Sequence, residues 1–91
     1  MGQNGEVIGP RRADVMEQAV DDELILFNPV TETYFTLNRS AREVWDLVDG
    51  SRTVNDIARG LASRYGMDPE ALIEDVRAIV DSFVAAELLA N

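Results

Sequence analysis

The run Thr33-Tyr34-Phe35-Thr36-Leu37-Asn38-Arg39-Ser40-Ala41-Arg42-Glu43-Val44-Trp45-Asp46-Leu47-Val48-Asp49-Gly50 contains the change of period that decides the fold. Up to Thr36 every residue is β-branched or aromatic, and Leu37 closes a strand-like segment. From Asn38 the apolar positions recur at helical spacing, so that Ala41, Val44, Trp45 and Val48 share one face. Ser40-Ala41-Arg42-Glu43 has the form of a capping box, in which hydroxyl and carboxylate satisfy each other's orphan backbone donors. Gly50 then reads as the helix end.

Upstream of this switch, Leu24-Ile25-Leu26-Phe27 is a short apolar run between Glu23 and Asn28-Pro29, suited to a strand buried on both faces or nearly so. Asn28 to Glu32 carries turn chemistry, with Pro29 fixing φ at the second position. The two runs therefore predict a hairpin. Ala13 to Val20 alternates loosely and predicts a further strand, joined through a turn at Asp21-Asp22. Residues 1–10 are polar and Gly-rich and are expected to form a flexible tail before one domain over residues 11–91. Downstream, Thr53-Val54-Asn55-Asp56 opens a second helix that Gly66 closes. Val54, Ile57, Ala58, Leu61, Ala62 and Tyr65 lie on one of its sides. Asp68-Pro69 supplies an N-cap and an N1 proline for a third helix running to about Leu88. Its apolar stripe is Leu72, Val76, Ile79, Val80 and Phe83. Gly60 stands unexplained inside the second helix. Three strands cannot bury an apolar face alone. The expectation is an α+β, winged-helix-like domain, with a three-stranded antiparallel sheet followed by three helices.

Composition narrows the chemistry. The 91 residues suffice for one domain, and 46% hydrophobic content is ordinary for a folded one. There is no His and no Cys, which removes thiolate nucleophiles, disulfides and the usual zinc sites. The expectations are no enzymatic activity, no metal and no cofactor. No apolar run reaches the roughly 20 residues of a membrane helix, and the start lacks a signal-peptide core. A cytoplasmic location is expected. Seventeen acids face eight bases, all Arg, for a net charge of −9. Nucleic acid and anionic membranes are thus poor partners.

Most conspicuous side chains have a plain structural reading. Trp45 is expected in the core. Tyr34 and Phe35 point to opposite faces, so one of them is core. Glu70, Glu74, Asp75 and Asp81 read first as a solvated face. Three rival functions remain open. The second and third helices have a helix-turn-helix look, but carboxylates at the head of the recognition helix would face phosphates. Glu74 and Asp81 share a face, yet nothing marks a pocket or nucleophile beside them. A structural dimerisation module pairing through the sheet edge is the third.

Taken in order, Thr33-Tyr34-Phe35-Thr36-Leu37-Asn38, Ala41, Val44-Trp45, Leu47, Asp49-Gly50, Thr53-Val54, Ile57, Leu61, Tyr65, Asp75-Val76, Phe83 and Leu88-Leu89 resemble the PqqD-like family. That family comprises the recognition elements of ribosomally made, post-translationally modified peptide pathways, and the likeness spans roughly residues 13–89. The resemblance implies that a precursor's leader peptide adds as a fourth strand along the third strand and rests against the third helix. Carried over, the peptide-binding residues are Thr33, Tyr34, Phe35, Thr36 and Leu37 on the strand. On the helix they are Leu72, Asp75, Val76, Ile79 and Phe83. The implied partners are a leader peptide and a peptide-modifying enzyme. Two positions depart from the family pattern. Glu32 stands where the hairpin commonly has Gly, so left-handed backbone there would be strained. Val48 stands where members of the quinone-cofactor pathway usually have Cys. The expectation is a relative serving another peptide class, such as a lasso peptide.

Overall fold

Alternation of apolar and polar residues, followed by helical periodicity, produces the two layers. In the computed structural model, which describes residues 5–90, β1 (Met16–Val20), β2 (Glu23–Asn28) and β3 (Thr33–Leu37) precede three helices. These are α1 (Arg39–Asp46), α2 (Val54–Tyr65) and α3 (Ile73–Ala85), with a 3-10 turn at Pro69–Ala71. The sheet is antiparallel in the order β1-β2-β3. Leu26 faces Glu17 on one side and Phe35 on the other, and Leu24 faces Ala19 and Leu37. Leu24, Leu26 and Leu37 bury one face of the sheet against Val44, Trp45, Ile57, Val76, Val80 and Phe83 of the helices. The expected α+β architecture is the observed one. The β2 run is buried on one face only, since Ile25 and Phe27 are half-buried on the other.

Four helix ends differ from the sequence reading, both those of α1 and both those of α3. Asn38, not Ser40, caps α1: its side chain accepts from the Ala41 N–H at 2.9 Å, on extended backbone. Ser40 is thereby already inside the helix, and its supposed partner Glu43 meets Tyr65, Arg39 and Arg64 instead. The reciprocal capping box belongs to α2, between Thr53 and Asp56. The backbone N–H of Thr53, donating to Asp56, holds that carboxyl below its ordinary pKa. Its contribution to stability is present above the unfolded carboxylate range and is lost as pH falls through the lowered value. Gly50 does not end α1, which stops at Asp46 with Leu47 as its C-cap. Gly50 is left-handed (φ 85°), and its N–H donates to the Ile8 carbonyl at 3.2 Å.

Asp68 and Pro69 open the 3-10 turn rather than α3 itself, and α3 ends at Ala85, not Leu88. Its end is built by Glu87, left-handed at φ 57°. The Leu88 N–H reaches the Phe83 carbonyl at 3.0 Å, and the Glu87 N–H reaches that of Val84 at 3.0 Å. This is the Schellman pattern without its usual glycine, and buried Leu88 and Phe83 supply the accompanying apolar pair.

β1 begins at Met16, because residues 13 and 14 form a turn in which Arg12 pairs with Asp14 at 2.9 Å. Residues 1–4 of the expected tail lie outside the described residues. Val7 to Pro10 is pinned rather than free. Val7 bridges Thr53, the Ile8 N–H donates to Arg52, and Pro10 accepts from the Ala90 N–H at 2.8 Å. These partners lie 44 or more positions away in sequence, beyond the reach of a local reading.

Gly60 is exposed in α2, and a Cβ there would meet only Leu47 Cδ1, at an ordinary 3.7 Å. Gly60→Ala should therefore stabilise the fold by about 0.5–1 kcal/mol, read as a raised denaturant midpoint with an unchanged slope. A lowered midpoint would mean that Leu47 cannot accommodate the methyl group.

Candidate peptide-binding edge and helical hollow

β3 has one neighbour, β2, and among the described residues no strand pairs with its other edge. An unpaired edge offers alternate N–H and C=O groups to an incoming chain. The strand is short. Thr33 and Thr36 are exposed, Phe35 is half-buried, and Tyr34 is 74% exposed. Tyr34 lies across from Phe27 with ring centroids 4.9 Å apart. The Leu37 side chain is buried in the core, so only its backbone is available to a ligand.

At the hairpin, Glu32 adopts φ 56°, the left-handed conformation that Gly takes without strain. Asn28 holds the turn in shape. It is the buried polar residue of the described chain, 1% exposed. Its Oδ1 accepts from the Val30 N–H at 3.0 Å, while Nδ2 donates to the Ala86 and Glu87 carbonyls at 3.2 and 2.9 Å. One amide thus joins the hairpin to the end of α3.

The helix residues expected at the site fall in one hollow, with one exception. Leu72, Asp75, Val76 and Ile79 line it together with Ser40, Glu43, Val44, Leu61, Tyr65 and Ala78. Val44 and Val76 are buried at its floor, Leu72 and Ile79 are half-buried, and Asp75 is exposed. Phe83 is not part of it. That ring is fully buried, edge-on to Trp45 with centroids 5.2 Å apart. Its place on the α3 stripe made it a candidate, but the stripe continues from the hollow into the core. Helical phase alone does not separate the two.

The sequence reading missed Glu43, Val44, Leu61 and Tyr65 as wall residues. The Tyr65 hydroxyl donates to Glu43 Oε2, and this bond raises the Tyr65 pKa above its ordinary value. Arg39 and Arg64 lie 4.0 and 3.8 Å from the same carboxylate. Partners 22 positions apart leave no local signal. The hollow is apolar at its floor and charged at its rim. It is lined by α1, α2, α3 and Leu72 just before α3, and no β3 residue lines it. Among the described residues no cluster of three potential metal ligands occurs. No described helix is long and apolar enough to cross a membrane.

A family profile described as "Coenzyme PQQ synthesis protein D (PqqD)" matches residues 23–89. The chain belongs to the PqqD family. Among solved structures, the chain is similar to one described as TbiB1 in complex with the TbiA(beta) leader peptide. Identity is 25% over 89% of this chain and 94% of that one, with a TM-score of 0.76. It also shares its fold with the PqqD truncation of Methylobacterium extorquens PqqCD, at 24% identity and a TM-score of 0.80. That match covers 100% of this chain and 96% of the other. The M. extorquens protein is described as a functional, stand-alone recognition element for ribosomally synthesised and post-translationally modified peptides. No curated protein matches. The PqqD-like resemblance read from the sequence is thus established, and so is the fold it implied.

Proposed function

We propose that this PqqD-family chain is a non-catalytic adaptor that binds the leader of a ribosomally made precursor peptide and presents it to a modifying enzyme. The observation that carries the reading is the β3 edge that no described strand pairs, in a chain similar to a protein solved in complex with a leader peptide. Backbone pairing tolerates sequence change, which suits capture of leaders whose attached cores vary. Each net backbone bond contributes only roughly 0.5–1.5 kcal/mol. Apolar leader side chains seated over Leu72, Val76 and Ile79 supply the rest. Two such anchors suit binding at around micromolar strength. The exposed acids Glu70, Glu74 and Asp75 at the head of α3 and in the turn before it oppose a nucleic-acid role for that helix. The lasso class is a candidate for the peptide, and the cytoplasm for its meeting with the enzyme.

The test is a titration of the full chain with its cognate leader, followed by amide shifts. The largest shifts should fall in residues 33–37 and 72–79. N-methylating successive leader amides should weaken binding with a period of two, because alternate amides of an added strand point toward β3. Shifts confined to α2 and the N-terminal segment, or an N-methyl pattern without that period, would end the strand-addition reading.

A further inference from the structure

The sheet has a second face, opposite the core and distinct from the β3 edge. The register places Met16, Phe27 and Tyr34 in one row across it, Gln18, Ile25 and Thr36 in the next, and Val20 with Glu23 beyond. Met16 is 57% exposed and Val20 44%, while Ile25 and Phe27 are only half-buried. Met16, Val20, Ile25, Phe27 and Tyr34 line one shallow hollow on this face, with Glu17 and Gln18 at its β1 side. Exposed apolar side chains clustered on one face, interrupted only by Gln18 and Thr36, suit an interaction surface.

Charge selects the occupant. The face itself carries no base, and acids stand at both ends: Asp21, Asp22 and Glu23 at the β1–β2 turn, and Glu32, beside the Arg12-paired Asp14, at the other. Of the nearby bases, Arg12 is paired with Asp14, Arg11 with Glu17, and Arg42 reaches the backbone carbonyls of Asp21 and Glu23. A second copy brings acid against acid in either orientation, because both ends of the patch are acidic. An anionic lipid surface meets the same repulsion. A protein whose apolar surface is flanked by Lys or Arg meets neither.

We propose that the outer face of the sheet, centred on Met16, Ile25, Phe27 and Tyr34, is a docking surface for a protein partner presenting an apolar patch flanked by basic residues. Under the adaptor reading, on which its biological role rests, that partner is the modifying enzyme. A leader added to β3 would extend this face by one strand, with alternate leader side chains beside Tyr34 and Thr36. The enzyme would then meet a wider surface on the loaded adaptor than on the empty one.

The experiment uses the full isotope-labelled chain and a synthetic amphipathic helix made of Leu and Lys, with a Leu–Glu counterpart as control. The Leu–Lys helix should shift the amides of Met16, Gln18, Ile25 and Phe27, and the Leu–Glu helix should not. Met16→Lys and, separately, Val20→Lys should weaken that binding at least about tenfold. Both variants should retain the wild-type spectrum and leader affinity, since β1 lies two strands from the leader edge. Shifts spread over the helical acids, or undiminished binding by both variants, would overturn the proposal. So would concentration-dependent shifts of the same amides accompanied by a dimeric mass. Leader titration reads the other proposal independently. A leader that fails to shift β3 while the Leu–Lys helix still shifts the outer face removes the adaptor reading and leaves this surface standing.

Discussion

Trp45→Ala should cost about 3–5 kcal/mol, the range for removing a large aromatic from a packed core. Trp45 is fully buried on α1 with its ring against the edge of Phe83. Its indole N–H donates to Glu17 Oε2 at 3.2 Å, Glu17 pairs with Arg11 at 3.7 Å, and the Arg11 guanidinium lies 5.4 Å from the indole centroid. The side chain therefore ties α1 to α3 by packing, and to β1 and the segment before it by a charged hydrogen-bond chain. A small domain has only about 5–10 kcal/mol of total stability, so most of it would be lost. A urea titration reads the result as a large fall in midpoint. Trp45→Phe should cost far less, because it keeps much of the apolar area and gives up chiefly the bond to Glu17. A midpoint for Trp45→Ala near that of the parent chain would show that the ring is not a core anchor.

Asn28→Ala should cost about 2–4 kcal/mol, out of proportion to the few atoms removed. Three hydrogen bonds disappear together, and the Val30 N–H and the Ala86 and Glu87 carbonyls lose a partner that is itself buried, in a part-buried junction. Leaving such groups unmatched costs more than the bonds themselves contribute. Asn28→Asp gives a sharper test. Its carboxylate would keep the bond from Val30 but face two carbonyl oxygens, so the folded state would raise its pKa. The deficit should be smallest at low pH, grow as pH rises past the unfolded value of about 3.9, and be complete above the raised folded value. Chemical denaturation at several pH values measures it. An Asn28→Asp deficit independent of pH would mean that the side chain does not face those carbonyls.

What was legible in the sequence was what is local. The hairpin between β2 and β3 showed in its apolar runs and turn residues, and α2 showed at both ends because Thr53 and Gly66 act within a few positions of themselves. Trp45 was readable as core from its helical phase. The start of α1 misled because Ser40 and Glu43 have the spacing of a capping box, while Asn38 two residues earlier is as good a cap and lengthens the helix. The end of α3 misled because Glu87 does the work usual for a glycine. Asn28 read only as a turn residue, since the carbonyls it holds are 58 and 59 positions away. The site divided in the same way. Its strand was visible, but its helical wall is completed by Glu43 and Tyr65, brought together only by tertiary packing.

The pairing of Pro10 with Ala90, next to that of Arg12 with Leu88, brings residues 10–12 and 88–90, near the two ends of the fold, side by side. A chain entering at one and leaving at the other spans almost no distance. The unit can therefore be spliced into a surface loop of a larger protein, or opened elsewhere and rejoined through a short linker, with little strain on either partner. Portability of this kind is a property of the closure itself. It does not depend on which peptide the sheet edge receives.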